Sequence, residues 1–184
     1  MEDIRKIILG TGSYSTVKSG NTVSITGDGG NAWGYFGPSY KALAPKLVTY
    51  LPYAEKYELL KELEETIRDY LIHNKNVNKK YVKEYQKFRK EIEDEYIRSF
   101  YEIRLKDLDV YELLYKLEKW FGHDIILLCH ETIEEFCHRR LVADYIELKT
   151  GIFIPEVEVD EKGFVKKRNP IRYKNRLIDT INKV

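Results

Sequence analysis

The chain lacks several features that would place it in a specialised class of proteins. It has only two cysteines among 184 residues, too few for the disulfide framework of a small secreted domain. No segment approaches the roughly 18 consecutive apolar residues of a membrane span. Residues 1–6 are mostly charged and no long apolar run follows them, unlike a secretion signal. We therefore expect a cytoplasmic protein.

Net charge is also almost absent, at +1, so the sequence predicts no global attraction to nucleic acid or to membranes. Apolar residues make up 43% of the chain and charged residues 33%, which is typical of a globular protein. The length suits one domain with its own core. We expect a single domain over residues 1–184, with a core in residues 1–150 and an extension in residues 151–184.

The N-terminal third contains two short strand patterns and a glycine-rich segment. Residues 5–9 predict a strand that ends at Gly10-Thr11-Gly12-Ser13, and residues 22–26 alternate in polarity as a second strand does. Residues 27–37 contain five glycines and no period, which indicates a loop. Such a loop either lets the backbone approach a ligand closely or is a plain connection.

Two helical patterns follow. Residues 54–72 are amphipathic, and the polar residues 73–80 interrupt them. A longer helix then carries a stripe of large side chains, which either stacks nucleic-acid bases or, as this spacing favours, covers a sheet. The stripe consists of Tyr81, Tyr85, Phe88, Ile92, Tyr96 and Phe100.

The remaining elements determine the fold class. Asp109 and Glu112 form a capping box for a helix that ends at Gly122. Residues 124–129 are the best strand, and their continuous apolar run suggests burial on both faces. Residues 152–159 and 164–167 predict a hairpin. This order predicts a three-layer α/β fold: a small, mostly parallel sheet flanked by helices, with a C-terminal β-hairpin extension.

Candidate chemistry is concentrated at the end of the best strand, where ligands gather in such sheets. Cys129 and Glu131 lie at the strand end, and Cys137, His138 and Arg139 follow in the next segment. A thiolate near a helix N-terminus or a cation is a strong nucleophile. Cys137 is thus a candidate nucleophile or thiol ligand, His138 an acid or base, Arg139 an anion clamp, and Glu131 a supporting carboxylate.

The start of the helix decides between this site and a purely structural segment. Thr132 and Glu135 form a possible capping box. A helix that began there would bury Cys137 as a small hydrophobic residue and pair Arg139 with Glu135 on the surface. A helix that began near residue 136 would instead leave residues 130–135 as a loop and let the Cys, His and Arg side chains converge.

Two further hypotheses use other groups. Four possible zinc ligands are present: Cys129, His130, Cys137 and His138. They form adjacent pairs without the usual spacing of zinc ligands, so we predict no metal and no cofactor. A C-terminal segment without acidic residues could contact the nucleic-acid backbone, although charged runs of this kind are usually just solvated. Its basic residues are Lys162, Lys166, Lys167, Arg168, Arg172, Lys174 and Arg176.

The Leu-Leu-Cys-His-Glu run at residues 127–131 and the Phe-Cys-His-Arg-Arg run at residues 136–140 resemble the family called domain of unknown function 488. That family typically has a strand ending in Cys-x-Glu and then a Phe-Cys-His-Arg element. Ser13-Tyr14, residues 23–25 and residues 34–45 are similar to its upstream patterns. His130 stands where an aromatic residue is common, and Gly10-Thr11-Gly12 departs from the usual first-strand ending.

The resemblance covers about residues 7–147 and implies a fold and a site, without a substrate. It adds ligand-binding candidates to Arg139: Arg140, Ser13, Tyr14, Tyr40 and Lys41. We therefore predict a small enzyme with a Cys-His-Arg site that acts on an anionic, nucleotide-like or nucleic-acid substrate. The alternative is a non-catalytic module that binds nucleic acid through its basic C-terminal extension, with the Cys-His-Arg segment structural.

Overall fold

A computed structural model describes residues 4–73 and 79–184. Its centre is a single five-stranded sheet in the order β2-β3-β1-β4-β5, in which the first four strands run parallel and β5 runs antiparallel to β4. The strands are β1 (Ile8–Ser13), β2 (Thr22–Ser24), β3 (Ile125–Cys129), β4 (Glu156–Val159) and β5 (Val165–Arg168). The mostly parallel α/β fold and the C-terminal hairpin are confirmed.

Within the described ranges, five α-helices surround the sheet: α1 (Leu47–His73), α2 (Lys79–Phe100), α3 (Val110–Phe121), α4 (His138–Thr150) and α5 (Lys174–Ile181). A π-helical turn, Tyr101–Leu105, continues α2. The predicted cap of α3 is confirmed, because the Asp109 side chain accepts hydrogen bonds from the backbone N–H groups of Tyr111 and Glu112. Within the described residues no helix is long and apolar enough to cross a membrane.

The core lies on both faces of β3, whose five residues are all buried. Ile125 and Leu127 belong to the larger hydrophobic cluster, together with buried residues of α2, α3, α4 and α5. Ile126 and Leu128 belong to a smaller cluster on the opposite face, with Val157 of β4. Burial on both faces explains the continuous apolar run of this strand.

The first strand differs from its prediction. It begins at Ile8, and Gly10 to Ser13 form its second half instead of ending it. The reason is close packing with β4: a Cβ atom on Gly10 would lie 2.7 Å from Cγ1 of Val157 and 2.9 Å from the carbonyl oxygen of Pro155. These glycines therefore permit a close approach between strands rather than a turn.

Helices α1 and α2 also differ from prediction in part. Helix α1 begins at Leu47, seven residues before the predicted residue 54. The aromatic stripe of α2 packs in the core as predicted only in its second half, where Ile92, Tyr96 and Phe100 are buried, whereas Tyr81 is 61% exposed. Of the predicted polar break, residues 74–78 lie outside the described residues.

The C-terminal hairpin joins the sheet instead of standing apart from it. Strand β4 pairs in parallel with β1 through Thr11 and Glu156, and β5 forms the sheet edge. Helix α5, which the sequence analysis did not predict, buries Leu177 in the larger core cluster. Residues 151–184 thus supply two strands to the sheet and a helix that packs in the same core cluster.

Candidate functional site

The segment between β3 and α4 places the candidate residues. Strand β3 ends at Cys129, and Cys137 is the N-cap of α4, which begins at His138. Of the two helix starts left open by the sequence, the structure has the one near residue 136, and the start at Thr132 was wrong. The Glu135 carboxylate instead accepts hydrogen bonds from the backbone N–H and hydroxyl of Thr132, which closes a local turn before the helix.

Four side chains converge at the carboxyl end of β3: Cys129, Glu131, Cys137 and His138, here called the cysteine–histidine cluster. Both sulfur atoms lie 2.9 Å from the same oxygen of Glu131, Oε2. Nδ1 of His138 lies 3.5 Å from Sγ of Cys129 and 3.9 Å from Sγ of Cys137. One ligand atom from each of the four residues lies within 4.8 Å of all the others.

The orientation of His138 is determined by its second ring nitrogen. Nε2 lies 2.9 Å from the backbone carbonyl oxygen of Ile25. A carbonyl oxygen only accepts hydrogen bonds, so Nε2 carries the proton and donates it. Nδ1 is then the ring nitrogen nearer to the two sulfur atoms, although Sγ of Cys129 also lies 3.9 Å from Nε2 and so is not in line with the Nδ1 lone pair.

The pKa values of the two cysteine thiols are shifted in opposite directions. Burial raises the pKa of Cys137, but a hydrogen bond from Cys129 and the charges of Arg139 and His138 outweigh it, so this pKa lies well below its ordinary value. Burial and the nearby Cys137 raise the pKa of Cys129. Burial and Cys137 also raise the pKa of Glu131 to about 7. The thiolate form is therefore favoured at Cys137 over Cys129.

The cluster forms the floor of a cavity of about 370 Å³. Three tyrosines and a phenylalanine are among its lining residues, and none of the lining residues is a lysine or an arginine. Besides the cluster, the lining residues are Thr26, Gly27, Asp28, Pro45, Leu47, Tyr50, Tyr53, Tyr96, His130 and Phe136.

Two cavity tyrosines were not predicted as site residues. Tyr96 is only 5% exposed, and among residues 4–73 and 79–184 no group hydrogen-bonds to its hydroxyl or to that of Tyr53. Burial raises the pKa of both, and for Tyr96 the negative groups Cys137, Cys129 and Glu131 raise it further. Both hydroxyls therefore remain protonated and able to donate. The sequence showed Tyr96 only as part of a core stripe, and Tyr53 carried no signal.

Arg139 does not reach the cavity. Its side chain is 1% exposed and pairs with the Glu156 carboxylate, whose Oε1 atom accepts from Nε at 3.0 Å and from Nη2 at 2.7 Å. The guanidinium also donates to the backbone carbonyls of Glu131 and Thr132. The structure thus places Arg139 behind the Glu131 loop, away from the position that an anion clamp for a cavity ligand requires, and also away from the alternative pairing with Glu135.

The other ligand-binding candidates also lie outside the cavity. Arg140 is buried and donates to Oγ1 of Thr11 and to the carbonyl of Ile154. Ser13 is buried at the end of β1, and the Tyr14 hydroxyl lies 2.6 Å from Oγ of Ser24. The last two candidates are the half-buried Tyr40 and the exposed Lys41.

Most of the basic C-terminal side chains are already paired. Arg168 pairs with Glu158, Arg172 and Lys174 pair with Glu147, and Arg176 pairs with Glu93 and Asp94. The other three form no ion pair with any residue that the structure describes: Lys162, Lys166 and Lys167.

Fold and site together define an α/β protein with a buried thiol–imidazole–carboxylate cluster under an aromatic cavity. The family model described as Domain of unknown function DUF488 matches residues 50–146, just over half of the chain, and the protein belongs to this family. The match contains the whole cysteine–histidine cluster but neither β1 and β2 nor the C-terminal hairpin. No curated protein and no solved structure matches the chain significantly.

Proposed function

We propose that the protein is an enzyme that binds an uncharged, ring-bearing small molecule in the aromatic cavity and acts on its polar group at the cysteine–histidine cluster. The observation that carries this proposal is the Tyr96 hydroxyl, which lines the cavity without a partner in the described structure although its side chain is 5% exposed. The hydroxyl is not among the fully buried atoms without a partner in the described structure, so it is open to the cavity. A bound ligand with an acceptor atom would satisfy this hydroxyl.

The walls and charges of the cavity support the substrate class. Tyr50, Tyr53, Tyr96 and Phe136 offer aromatic surfaces, which favour a flat ring. The charged lining residues are the acids Asp28 and Glu131, with two histidines and no lysine or arginine. An anion would therefore meet two carboxylates, with no lysine or arginine on the cavity lining to offset them. The proposal departs here from the anionic substrate expected from the sequence, because that expectation depended on Arg139.

The cluster suggests chemistry at a polarised carbon such as that of a carbonyl group. The Cys137 sulfur is the electron-pair donor of this centre, and the Nδ1 lone pair of His138 can accept a proton. The Tyr96 hydroxyl can donate to an oxygen on which negative charge develops. These roles need no residue outside the cluster and the cavity.

A binding experiment tests the substrate class with three probes of similar size: benzamide (neutral), benzoate (anionic) and benzylamine (cationic). We expect benzamide to bind more tightly than benzoate in ligand-observed NMR titrations. Tyr96→Phe should lower the affinity for benzamide by about fivefold, which corresponds to the loss of one neutral hydrogen bond of about 1 kcal/mol. Tyr101→Phe is the control, because Tyr101 is buried outside the cavity. Tighter benzoate binding, or no effect of Tyr96→Phe, would contradict the proposal.

A second experiment tests catalysis with 4-nitrophenyl acetate, a neutral ester with a flat ring. We expect the wild type to hydrolyse it at least tenfold faster than Cys137→Ser, because the substitution removes the sulfur electron pair from the cavity floor. Tyr101→Phe should behave as the wild type does. Equal rates for the wild type and Cys137→Ser would remove the enzyme proposal.

The second candidate function is nucleic-acid binding by the C-terminal hairpin. It is favoured by one observation: Lys162, Lys166 and Lys167 are exposed and have no ion-pair partner among the described residues. Phosphate contacts use such side chains. Because the other four basic residues of this segment are paired, the candidate surface is limited to these three lysines.

A further inference from the structure

We infer that the cysteine–histidine cluster binds a divalent transition-metal ion of the zinc class. A bound ion would occupy the Nδ1 lone pair of His138 and bind the Cys137 sulfur, so in the loaded protein these residues act as ligands instead of as the proton acceptor and free nucleophile proposed above. Only the account of ligand exchange rests on the proposed function. The donor set is two thiols, one imidazole and one carboxylate. Sulfur and imidazole ligands select zinc and similar ions over magnesium and calcium.

The spacing of the donor atoms suits one tetrahedral ion. Bonds of about 2.3 Å to sulfur and 2.0–2.2 Å to nitrogen or oxygen place neighbouring ligand atoms roughly 3.3–3.8 Å apart. Nδ1 of His138 is 3.5 Å from one sulfur and 3.9 Å from the other. Glu131 Oε2, at 2.9 Å from each sulfur, would move outward by about half an ångström around an ion of this size.

His138 gives an independent sign of metal binding. Its Nε2–H group donates to the backbone carbonyl of Ile25 at 2.9 Å, so Nδ1 is the ring nitrogen left to bind an ion. A histidine ligand almost always donates its other ring N–H to a carbonyl, carboxylate or water, which holds the ring in place for the metal. Here that outer hydrogen bond is already formed.

The surroundings of Cys137 also suit a metal-bound thiolate. Its sulfur accepts a hydrogen bond from the backbone N–H of Arg139 at 3.5 Å, and it caps the N-terminus of α4, where the helix dipole favours negative charge. Behind the cluster, the Arg139 guanidinium donates to the carbonyls of Glu131 and Thr132. The loop that presents Glu131 is therefore held before any ion binds.

The ligand spacing explains why the sequence did not predict this site. Zinc motifs usually place two ligands a few residues apart on one turn. Here one sulfur comes from the end of β3 and the other from the start of α4, with Glu131 in the connection. Glu131 is the only half-buried member of the set and lines the cavity. It is therefore the ligand that a substrate would displace.

Metal content and spectroscopy test the inference on the full chain, purified under reducing conditions and reconstituted with Zn²⁺ or Co²⁺ alone. We expect one ion per chain by elemental analysis and, with Co²⁺, a thiolate-to-metal charge-transfer band. Cys129→Ser and Cys137→Ser should abolish that band or shift it strongly, and His138→Gln should reduce affinity at least tenfold. Failure of the reduced wild type to take up stoichiometric metal would overturn the inference.

A matched pair of variants identifies the carboxylate ligand. Glu131→Gln should weaken Zn²⁺ binding at least tenfold, whereas His130→Gln, a change at a neighbouring cavity residue outside the cluster, should leave affinity unchanged. Equal losses in the two variants would show that the ligand set is wrong. If the cysteine variants do not fold, thiol titration of the wild type decides: Zn²⁺ should protect both cysteines from alkylation, and equal labelling with and without Zn²⁺ would refute the site.

The outcomes separate this inference from the proposed function. Tyr96→Phe should keep its metal while losing affinity for benzamide. If metal does not bind but benzamide still does, only the metal inference fails. If metal binds but none of the three ring probes does, the substrate proposal fails and the metal site remains.

Discussion

Two groups of buried polar side chains lie beside the first turn of α4, and they differ in how fully their hydrogen-bonding capacity is used. The cysteine–histidine cluster faces the cavity and shares a single carboxylate oxygen between two sulfurs. The second group, here called the arginine network, lies on the β4 side and consists of Thr11, Arg139, Arg140, Asp144 and Glu156.

The arginine network is almost saturated. Both oxygens of Glu156 are occupied, Oε1 by Arg139 and Oε2 by the Thr11 hydroxyl at 2.6 Å. Arg140 donates to Thr11 and to a backbone carbonyl. Among the described residues, Nε of Arg140 is the one fully buried side-chain polar atom without a partner. A group in which nearly all donors and acceptors are engaged holds structure together and leaves little to offer a ligand.

The comparison separates two roles within one short motif. Cys137, His138 and Arg139 are consecutive, yet the first two point to the cavity cluster and the third to β4. The family match includes all three but ends before Glu156, the partner of Arg139. In this chain, a residue of the C-terminal extension therefore completes the environment of the family motif.

The largest expected effect comes from breaking the arginine network. Arg139→Ala leaves the 3% exposed Glu156 without its main cation, and removing one partner of a buried pair typically costs about 3–5 kcal/mol. Urea denaturation should show this loss. Arg168→Ala is the control, since its pair with Glu158 is partly exposed and should contribute within about 1 kcal/mol.

The same variant also tests the anion-clamp hypothesis. If Arg139→Ala unfolds at nearly the wild-type urea midpoint but no longer gains stability from sulfate, then Arg139 binds anions and the comparison above assigns it wrongly. We expect the opposite: a large loss of stability, and an equal response to sulfate in both proteins.

Asp28 combines the two situations, because it lines the cavity while its carboxylate oxygens already accept hydrogen bonds from other residues. Its carboxylate accepts from the Thr26 hydroxyl and from the backbone N–H groups of Gly30 and Ala32, and lies 3.2 Å from Nε2 of His130. Asp28→Asn replaces one acceptor with a donor, so we expect a loss of about 1–2 kcal/mol. Affinity for benzamide should change less than in Tyr96→Phe.

The stabilisation by Asp28 should depend on pH. Burial raises its pKa, but hydrogen bonds from Thr26, Gly30, Ala32 and His130 outweigh burial and hold the pKa well below its ordinary value. A depressed folded-state pKa gives stability that is present above the unfolded value of about 4 and is lost as the pH falls below it. The difference between wild type and Asp28→Asn should therefore shrink in acid. A constant difference from pH 7 to pH 3 would contradict this account.

The fold was predictable wherever one signal dominated locally. The sequence predicted strand β3, the Asp109 cap and the hairpin. Burial on two faces, a side-chain cap and a turn each leave a local pattern in the sequence. The position of β1 was not predictable, because its glycines are required by Val157, nearly 150 residues away. A close approach between distant strands leaves the same local pattern as a turn.

The sequence located the region of the site, but it did not predict which other residues the side chains of that region contact. The Cys-x-Glu and Cys-His pairs indicated where chemistry would lie, and a helix start near residue 136 was one of two alternatives left open. Nothing local distinguished Arg139 from its neighbours, because its partner Glu156 is in another strand. Tyr53 and Tyr96 reach the cavity only through the packing of α1 and α2 against the site.

The smallest effect on stability is expected for polar groups that are neither buried nor saturated. Lys162, Lys166 and Lys167 lie exposed on the hairpin. Replacing all three by glutamate should change the free energy of unfolding by no more than about 0.5 kcal/mol per site. Such residues contribute nothing to the fold by this reasoning, so any role they have must involve a partner.

Gel-shift titrations with a random-sequence DNA duplex at two salt concentrations test that role. Three phosphate contacts would give a slope of log affinity against log salt of about −3, and the glutamate substitutions should abolish binding. The control replaces Lys83, Lys106 and Lys119 by glutamate, which makes the same charge change at exposed positions away from the hairpin. If both triple variants lose binding equally, only overall charge matters, and if the wild type does not bind even at low salt, the nucleic-acid hypothesis is removed.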